Sequence, residues 1–221
     1  MNLRIFDSID ALMRAAARTI SETAHDGASI ALSGGSTPKP LYEILGRDES
    51  LGAKAITWVV VDERYVPIDD PQSNAGMIQQ TLFAGGMKPS HRFLRFKTEL
   101  NDPAATAREF ENGWRELALT NLDIVILGMG DDGHTASLFP GTSALDVEER
   151  IATEVFVPKL DTWRVTITKP VIRAAKLRIV LATGGSKRPI IADIRSGSMD
   201  YPIALATAGV ETWWFVDRVA V

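Results

Sequence analysis

The chain has 221 residues, 45% of them hydrophobic and 24% charged, enough to bury a substantial core without staples. It contains no cysteine, which excludes disulfides, thiolate metal sites and cysteine nucleophiles. A formal net charge of −4 offers no basic field for nonspecific nucleic-acid binding, so an anionic ligand has to be met by a local cluster of Arg and Lys.

The N-terminal stretch MNLRIFDSIDALMRAAARTI lacks the apolar core and cleavage site of a signal peptide, and its apolar spacing after an Asp/Ser start predicts a first helix. ASIALS (residues 28–33) is a short apolar strand leading into the loop GGSTP, and Pro38 suits the first turn of the helix that follows. AITWVVVD (residues 55–62) is a β-branched strand that ends in the loop DERYVP. SNAGMIQQTLF (residues 73–83) reads as a helix with a Ser N-cap, and PAATAREFENGWRELAL (residues 103–119) as an amphipathic helix. LDIVILGMG (residues 122–130) has the continuous apolar character of a strand covered on both faces. WRVTIT (residues 163–168) is a strand, then PVIRAAK a short helix, LRIVLATGG (residues 177–185) a strand, KRPIIADIRS a helix and ETWWFVD (residues 211–217) a last strand. Strands alternate with helices throughout, which predicts an α/β fold with a mostly parallel sheet and helices on both faces. No repeat, linker or low-complexity tract interrupts the chain, so residues 1–221 are expected to form one domain. No run reaches the roughly 18 apolar residues of a membrane span. A cytoplasmic monomer without metal or organic cofactor, nucleic-acid partner or membrane contact is the expectation.

In such folds ligands sit at the carboxyl ends of the strands, and four segments with unusual chemistry leave such ends. In SGGSTP, Gly34 and Gly35 let the backbone turn and expose N–H groups, and Ser36 and Thr37 add hydroxyls beside a helix start. That combination suits a phosphate, although the same residues also make an ordinary capped turn. In DERYVP, Arg64 is able to clamp a phosphate or carboxylate, with Asp62 or Glu63 to orient it. Asn74 is most simply a cap residue. In TGGSKRP, Lys187 places a point charge at a helix opening. Arg164 in TWRVTIT is either an edge residue or an anion ligand.

The fourth segment, GMGDDGHTASLFPG, matches the dinucleotide pattern G-x-G-x-x-G. Asp131 and Asp132 inside the turn would repel a pyrophosphate, and the nearest downstream acids, Glu148 and Glu149, do not close a strand. His134 is the more informative residue. It alone of the three histidines follows a glycine-rich turn at a strand end, and an imidazole suits proton transfer near neutral pH. Asp131 or Asp132 is placed to hydrogen-bond it. One His beside two acids is not a convincing metal-ligand set.

Taken together, LSGGSTPKPLYEIL, VVDERYVPIDDPQSNAGM, LGMGDDGHTASLFPG, RVTIT and GGSKRPII resemble the 6-phosphogluconolactonase family, which shares a superfamily with glucosamine-6-phosphate deaminases. The resemblance implies a Rossmann-like sheet and hydrolysis of 6-phospho-D-glucono-1,5-lactone in the oxidative pentose phosphate pathway, with no cofactor. It implies that His134 is the catalytic base, and that Gly34, Gly35, Ser36, Thr37, Arg64, Arg164 and Lys187 hold the phosphate. Asp62 and Gly130 belong to the expected substrate contacts. The oxyanion would be met by Arg64 or by backbone N–H groups of the glycine loop. Ser137 reads as a turn or packing residue. Two alternatives remain. A deaminase of this superfamily carries a glutamate five residues after the histidine, where this chain has Phe139. Non-catalytic sugar-phosphate sensors on this fold occur fused to a DNA-binding module, for which the segment before Ala28 is expected to be too short.

Overall fold

The structure is a computed structural model that describes residues 1–221. In chain order the elements are β1 (Asn2–Phe6), α1 (Ile9–Thr23), β2 (Ser29–Leu32), α2 (Lys39–Gly46), α3 (Glu49–Gly52), β3 (Thr57–Val60), β4 (Asp62–Arg64), α4 (Asn74–Thr81), β5 (Arg92–Leu94), α5 (Pro103–Glu116), β6 (Ile124–Gly128), β7 (Ala152–Val157), β8 (Thr162–Ile167), α6 (Lys169–Ala174), β9 (Leu177–Ala182), α7 (Arg188–Arg195), α8 (Pro202–Thr207) and β10 (Thr212–Asp217). The helix starts follow from their caps. The Ser8 side chain accepts from the N–H of Ala11, Ser73 from Gly76, and Asp102 from Ala104 and Ala105, with Pro103 in the first turn of α5.

Seven strands form a parallel sheet in the order β1-β10-β9-β6-β2-β3-β5. β2 and β9 are buried at every residue, on both of their alternating faces, as a helix-covered parallel sheet requires. β4, β8 and β7 form a second, antiparallel sheet. A single cluster of 57 buried apolar residues includes Val155, Val165 and Ile167 of this second sheet, so both sheets share one core.

Several segments differ from the sequence-based expectation. DER is a strand of the second sheet, because the chain leaves the parallel sheet after Val60 and pairs Asp62, Glu63 and Arg64 with Thr166, Val165 and Arg164. β1 lies before the segment expected to hold the first strand, and β5, β7, α3 and α8 are additional elements. Pro38 stands at the N-cap of α2, and Pro40 occupies its first turn.

The strand order reverses between β2 and β6. From β2 the chain builds outward through β3 to β5, and from β6 through β9 to β10, with the N-terminal β1 added at the outer edge beside β10. The crevice beyond the carboxyl ends of β2 and β6 is therefore the topological switch point, where α/β folds bind ligands.

Candidate active site

An open cleft of about 250 Å³ lies at that switch point. It is lined by Gly34, Gly35, Ser36 and Thr37 after β2, Asp62 and Arg64 of β4, Asn74 of α4, Gly130 and His134 after β6, and Lys187 after β9. Three loops and β4 thus bring nearly every expected residue to one place. Asp131 and Asp132 stand outside this lining, and so does Arg164. It stands on β8 opposite Arg64, with its buried Nε left without a partner.

The glycines fit for different physical reasons. Gly35 has φ +92°, a left-handed conformation, and makes the sharp turn. Gly34 has no such constraint, but a Cβ there would lie 1.7 Å from Asn74 Oδ1, so Gly34 is required by the close approach of α4. None of the N–H groups from Gly34 to Thr37 is donated to another group of the protein. Four such donors on one loop, beside a helix start, form a ready anion cradle.

The His134 loop is held by its own backbone. Gly130 N–H donates to His134 O at 2.9 Å and Gly133 N–H to Gly130 O at 3.1 Å. Gly133 has φ +74°. A Cβ on Gly130 would come within 2.1 Å of the imidazole, so this glycine makes room for the ring. Because the Gly130 N–H is already committed, it is not a free oxyanion donor. His134 Nδ1 lies 2.5 Å from Asp132 Oδ1, and the same oxygen accepts the His134 backbone N–H at 3.1 Å. That arrangement places the proton on Nδ1 and leaves the Nε2 lone pair free. Phe139 stacks on the imidazole with ring centroids 4.1 Å apart. Lys159, from the connection between β7 and β8, pairs with the other oxygen of Asp132 and lies 4.9 Å from the Phe139 ring centre. Asp131 turns the other way. It pairs with Lys187 and accepts from Ser186 Oγ at 2.9 Å. Burial lowers the proton affinity of His134; Asp62 opposes that, Lys187 and Arg164 add to it, and Asp131 opposes it.

Across the cleft, Asp62 is buried and multiply held. Ser137 Oγ donates to its Oδ2 at 2.6 Å, and Asn74 Nδ2 donates to its Oδ1 at 3.3 Å and to its backbone oxygen at 2.7 Å. Ser137 and Asn74 are thus more than turn and cap residues: they fix a carboxylate whose charge raises the proton affinity of the imidazole. No local pattern signals this, because Ser137 and Asp62 are 75 residues apart in sequence. Neighbouring Glu63 points inward, accepting backbone N–H bonds from Arg64, Asn74 and Ala75 and a bond from Ser73 Oγ. Burial raises its proton affinity against those donors. Arg64 Nη1 donates to Gln72 O at 2.7 Å. Burial, and then the charge of Arg64, hold the Arg164 pKa below its ordinary value. No group of three or more His, Asp or Glu side chains is placed to hold a metal ion, and no helix is long and apolar enough to cross a membrane.

Fold and site together define an α/β protein with an anion cradle, a cation cluster and an oriented imidazole at the switch point. Residues 7–214 match the family model described as glucosamine-6-phosphate isomerases/6-phosphogluconolactonase, and the chain belongs to that family. It is 37% identical over 206 residues to a 6-phosphogluconolactonase of a Nostoc species, covering 87% of this chain and 82% of that one. It is likewise 37% identical over 210 residues to a 6-phosphogluconolactonase of a Synechocystis species, with 87% and 82% covered. The crystal structure of 6-phosphogluconolactonase from Leishmania guyanensis superposes with a TM-score of 0.85 at 29% identity, covering 99% of this chain and 97% of that one.

Proposed function

We propose that this chain hydrolyses 6-phospho-D-glucono-1,5-lactone to 6-phosphogluconate, with His134 as general base. The observation that carries the reading is the imidazole itself: oriented by Asp132 through Nδ1, shifted toward its neutral form, with no protein partner on Nε2, in a cleft lined with unpaired N–H groups and cations. Kinship with lactonases supplies the substrate class.

In this mechanism Nε2 takes a proton from water as the oxygen attacks C1 of the lactone. Asp132 stabilises the resulting imidazolium through Nδ1–H. The tetrahedral intermediate collapses with cleavage of the bond from C1 to the ring oxygen, and the imidazolium returns its proton to that oxygen. Negative charge on the former carbonyl oxygen is met by free N–H groups of the Gly34–Thr37 segment or by Arg64. The phosphate occupies the remainder of the basic surface, formed by Arg64 and Lys187 with Arg164 behind them. Its binding energy orients the sugar. Asp62 is a fixed anion and limits the loss of basicity that burial causes in the imidazole.

Phe139 weighs against the deaminase alternative. A phenyl ring stacked on His134 transfers no proton, and ring opening followed by isomerisation of an amino sugar asks for more acid/base groups than this cleft offers. The test is a coupled assay with freshly generated 6-phosphogluconolactone beside glucosamine 6-phosphate. Turnover of the lactone alone is expected, and His134→Ala should lower kcat by about 10²–10⁴-fold, the worth of a positioned general base, with KM little changed. Near wild-type turnover in that variant would remove His134 from the role, and activity on the amino sugar alone would overturn the reading.

A further inference from the structure

Lys187 lines the cleft with a side chain only 15% exposed, yet its ammonium is already paired with the Asp131 carboxylate, 73% exposed at the rim. Lys187, and then Ser186, hold the Asp131 carboxyl below its ordinary range, so it is ionised at neutral pH. Asp131 makes no hydrogen bond to the imidazole, whose Nδ1 belongs to Asp132. A full negative charge thus stands beside a cation that faces the ligand.

We propose that Asp131 is a positioning residue for Lys187, a resident counter-anion that competes with the ligand's phosphate and eases product release. The proposal deepens the lactonase reading and rests on it for the nature of the product. A phosphorylated lactone carries only the charge of its phosphate, whereas the product carries an additional carboxylate. Facing Arg64 and Lys187, the product would be held more tightly than the substrate, since each added charge gains a further Coulomb attraction. Asp131 neutralises part of that cluster from the solvent side. An incoming phosphate must share Lys187 or displace Asp131, and a departing product is replaced at the ammonium by a carboxylate that never leaves. The exposure of Asp131 sets the scale, because an exposed ion pair is weak and screened by salt. Its position suits a modest adjustment of affinity better than a gate.

The test uses the full chain as wild type, Asp131→Asn, Lys187→Ala and the double variant, titrated calorimetrically with 6-phosphogluconate, inorganic phosphate and gluconate. Asp131→Asn should bind 6-phosphogluconate and phosphate about two- to five-fold more tightly at low salt, the scale of an exposed pair, with the gain shrinking at high salt. Gluconate, which brings a carboxylate but no phosphate, should gain less than 6-phosphogluconate, and the gain should vanish in the Lys187→Ala background. Unchanged or weaker phosphate binding in Asp131→Asn overturns the proposal. So does a gain that survives loss of Lys187, since it would then reflect the general field around His134. If the wild type turns over no lactone while Asp131→Asn still tightens phosphate through Lys187, the proposed activity fails and the counter-anion role stands.

Discussion

His134 loses proton affinity to burial, and four neighbouring charges modify that affinity in opposite senses: Asp62 and Asp131 raise the affinity, Lys187 and Arg164 lower it further. A general base works in its neutral form, so a lowered pKa extends activity to lower pH. The acid limb of kcat/KM is expected to fall below the ordinary histidine value of about 6.5. Asp62→Asn removes a charge that raises the pKa and should move the limb lower still. Lys187→Ala removes one that lowers it and should move the limb up. pH–rate profiles of the two variants that shift in the same direction would show that the field of these side chains does not set the basicity. Gly130 offers a steric test at the same scale. The methyl of Gly130→Ala would collide with the imidazole at 2.1 Å, and backbone and ring share one short loop, so neither yields easily. Its kcat should drop by at least about tenfold, as misplacement of a catalytic group by an ångström costs, while phosphate affinity stays near wild type. An unchanged kcat would mean that the ring tolerates displacement.

At the scale of elements, β4 joins the two sheets at the cleft, and Glu63 fastens it to the start of α4. Glu63→Ala would leave three backbone N–H groups and the Ser73 hydroxyl unpaired in the interior. Unsatisfied buried donors make this a loss on the order of 3 kcal/mol in denaturant unfolding. A loss below about 1 kcal/mol, the worth of a single ordinary hydrogen bond, would show that water satisfies those donors. This strand also marks the limit of what the sequence discloses. Helices whose caps and apolar periodicity lie within one segment, such as α1, α4 and α5, were legible, and so were the apolar strands β6 and β9. DER was not, because three charged residues in a row look solvated, whereas Glu63 spends its charge on an interior helix start. β7 was hidden by its polar flanks, and β5 by its brevity. The candidate site divides in the same way. The glycine loops and His134 announce themselves locally, and family resemblance adds the basic residues. The choice of Asp132 over Asp131, and the hold of Ser137 and Asn74 on Asp62, depend on contacts between segments that only the folded chain brings together.

Across the whole molecule, the carboxyl ends of the strands carry the cleft, while the amino ends carry a separate polar cluster around Asp123. Its carboxylate accepts from Ser29 N–H at 2.8 Å, Ser29 Oγ at 3.1 Å and Lys176 Nζ at 2.7 Å, and it lies 3.1 Å from His25 Nε2. These contacts tie the start of β2 to the start of β6 and to the turn before β9, at the end of the sheet away from the ligand. Burial opposes ionisation of Asp123, yet Lys176, Ser29 and His25 together hold its pKa below the ordinary value. An acid with a depressed folded pKa contributes stability above its unfolded pKa, and that contribution is lost as pH falls through the folded one. The loss should therefore fall below about pH 4, the unfolded aspartate value. Asp123→Asn keeps the shape and removes the charge, so its melting temperature should lie below wild type at pH 7, with the gap closing toward pH 3. Lactone turnover at pH 7, measured well below the melting temperature, should be unaffected because the cluster stands at the far end of the strands. An equal melting deficit at both pH values would assign the stabilisation to hydrogen-bond geometry instead of charge. A fall in turnover matching the fall in stability would show that the two ends of the sheet are coupled.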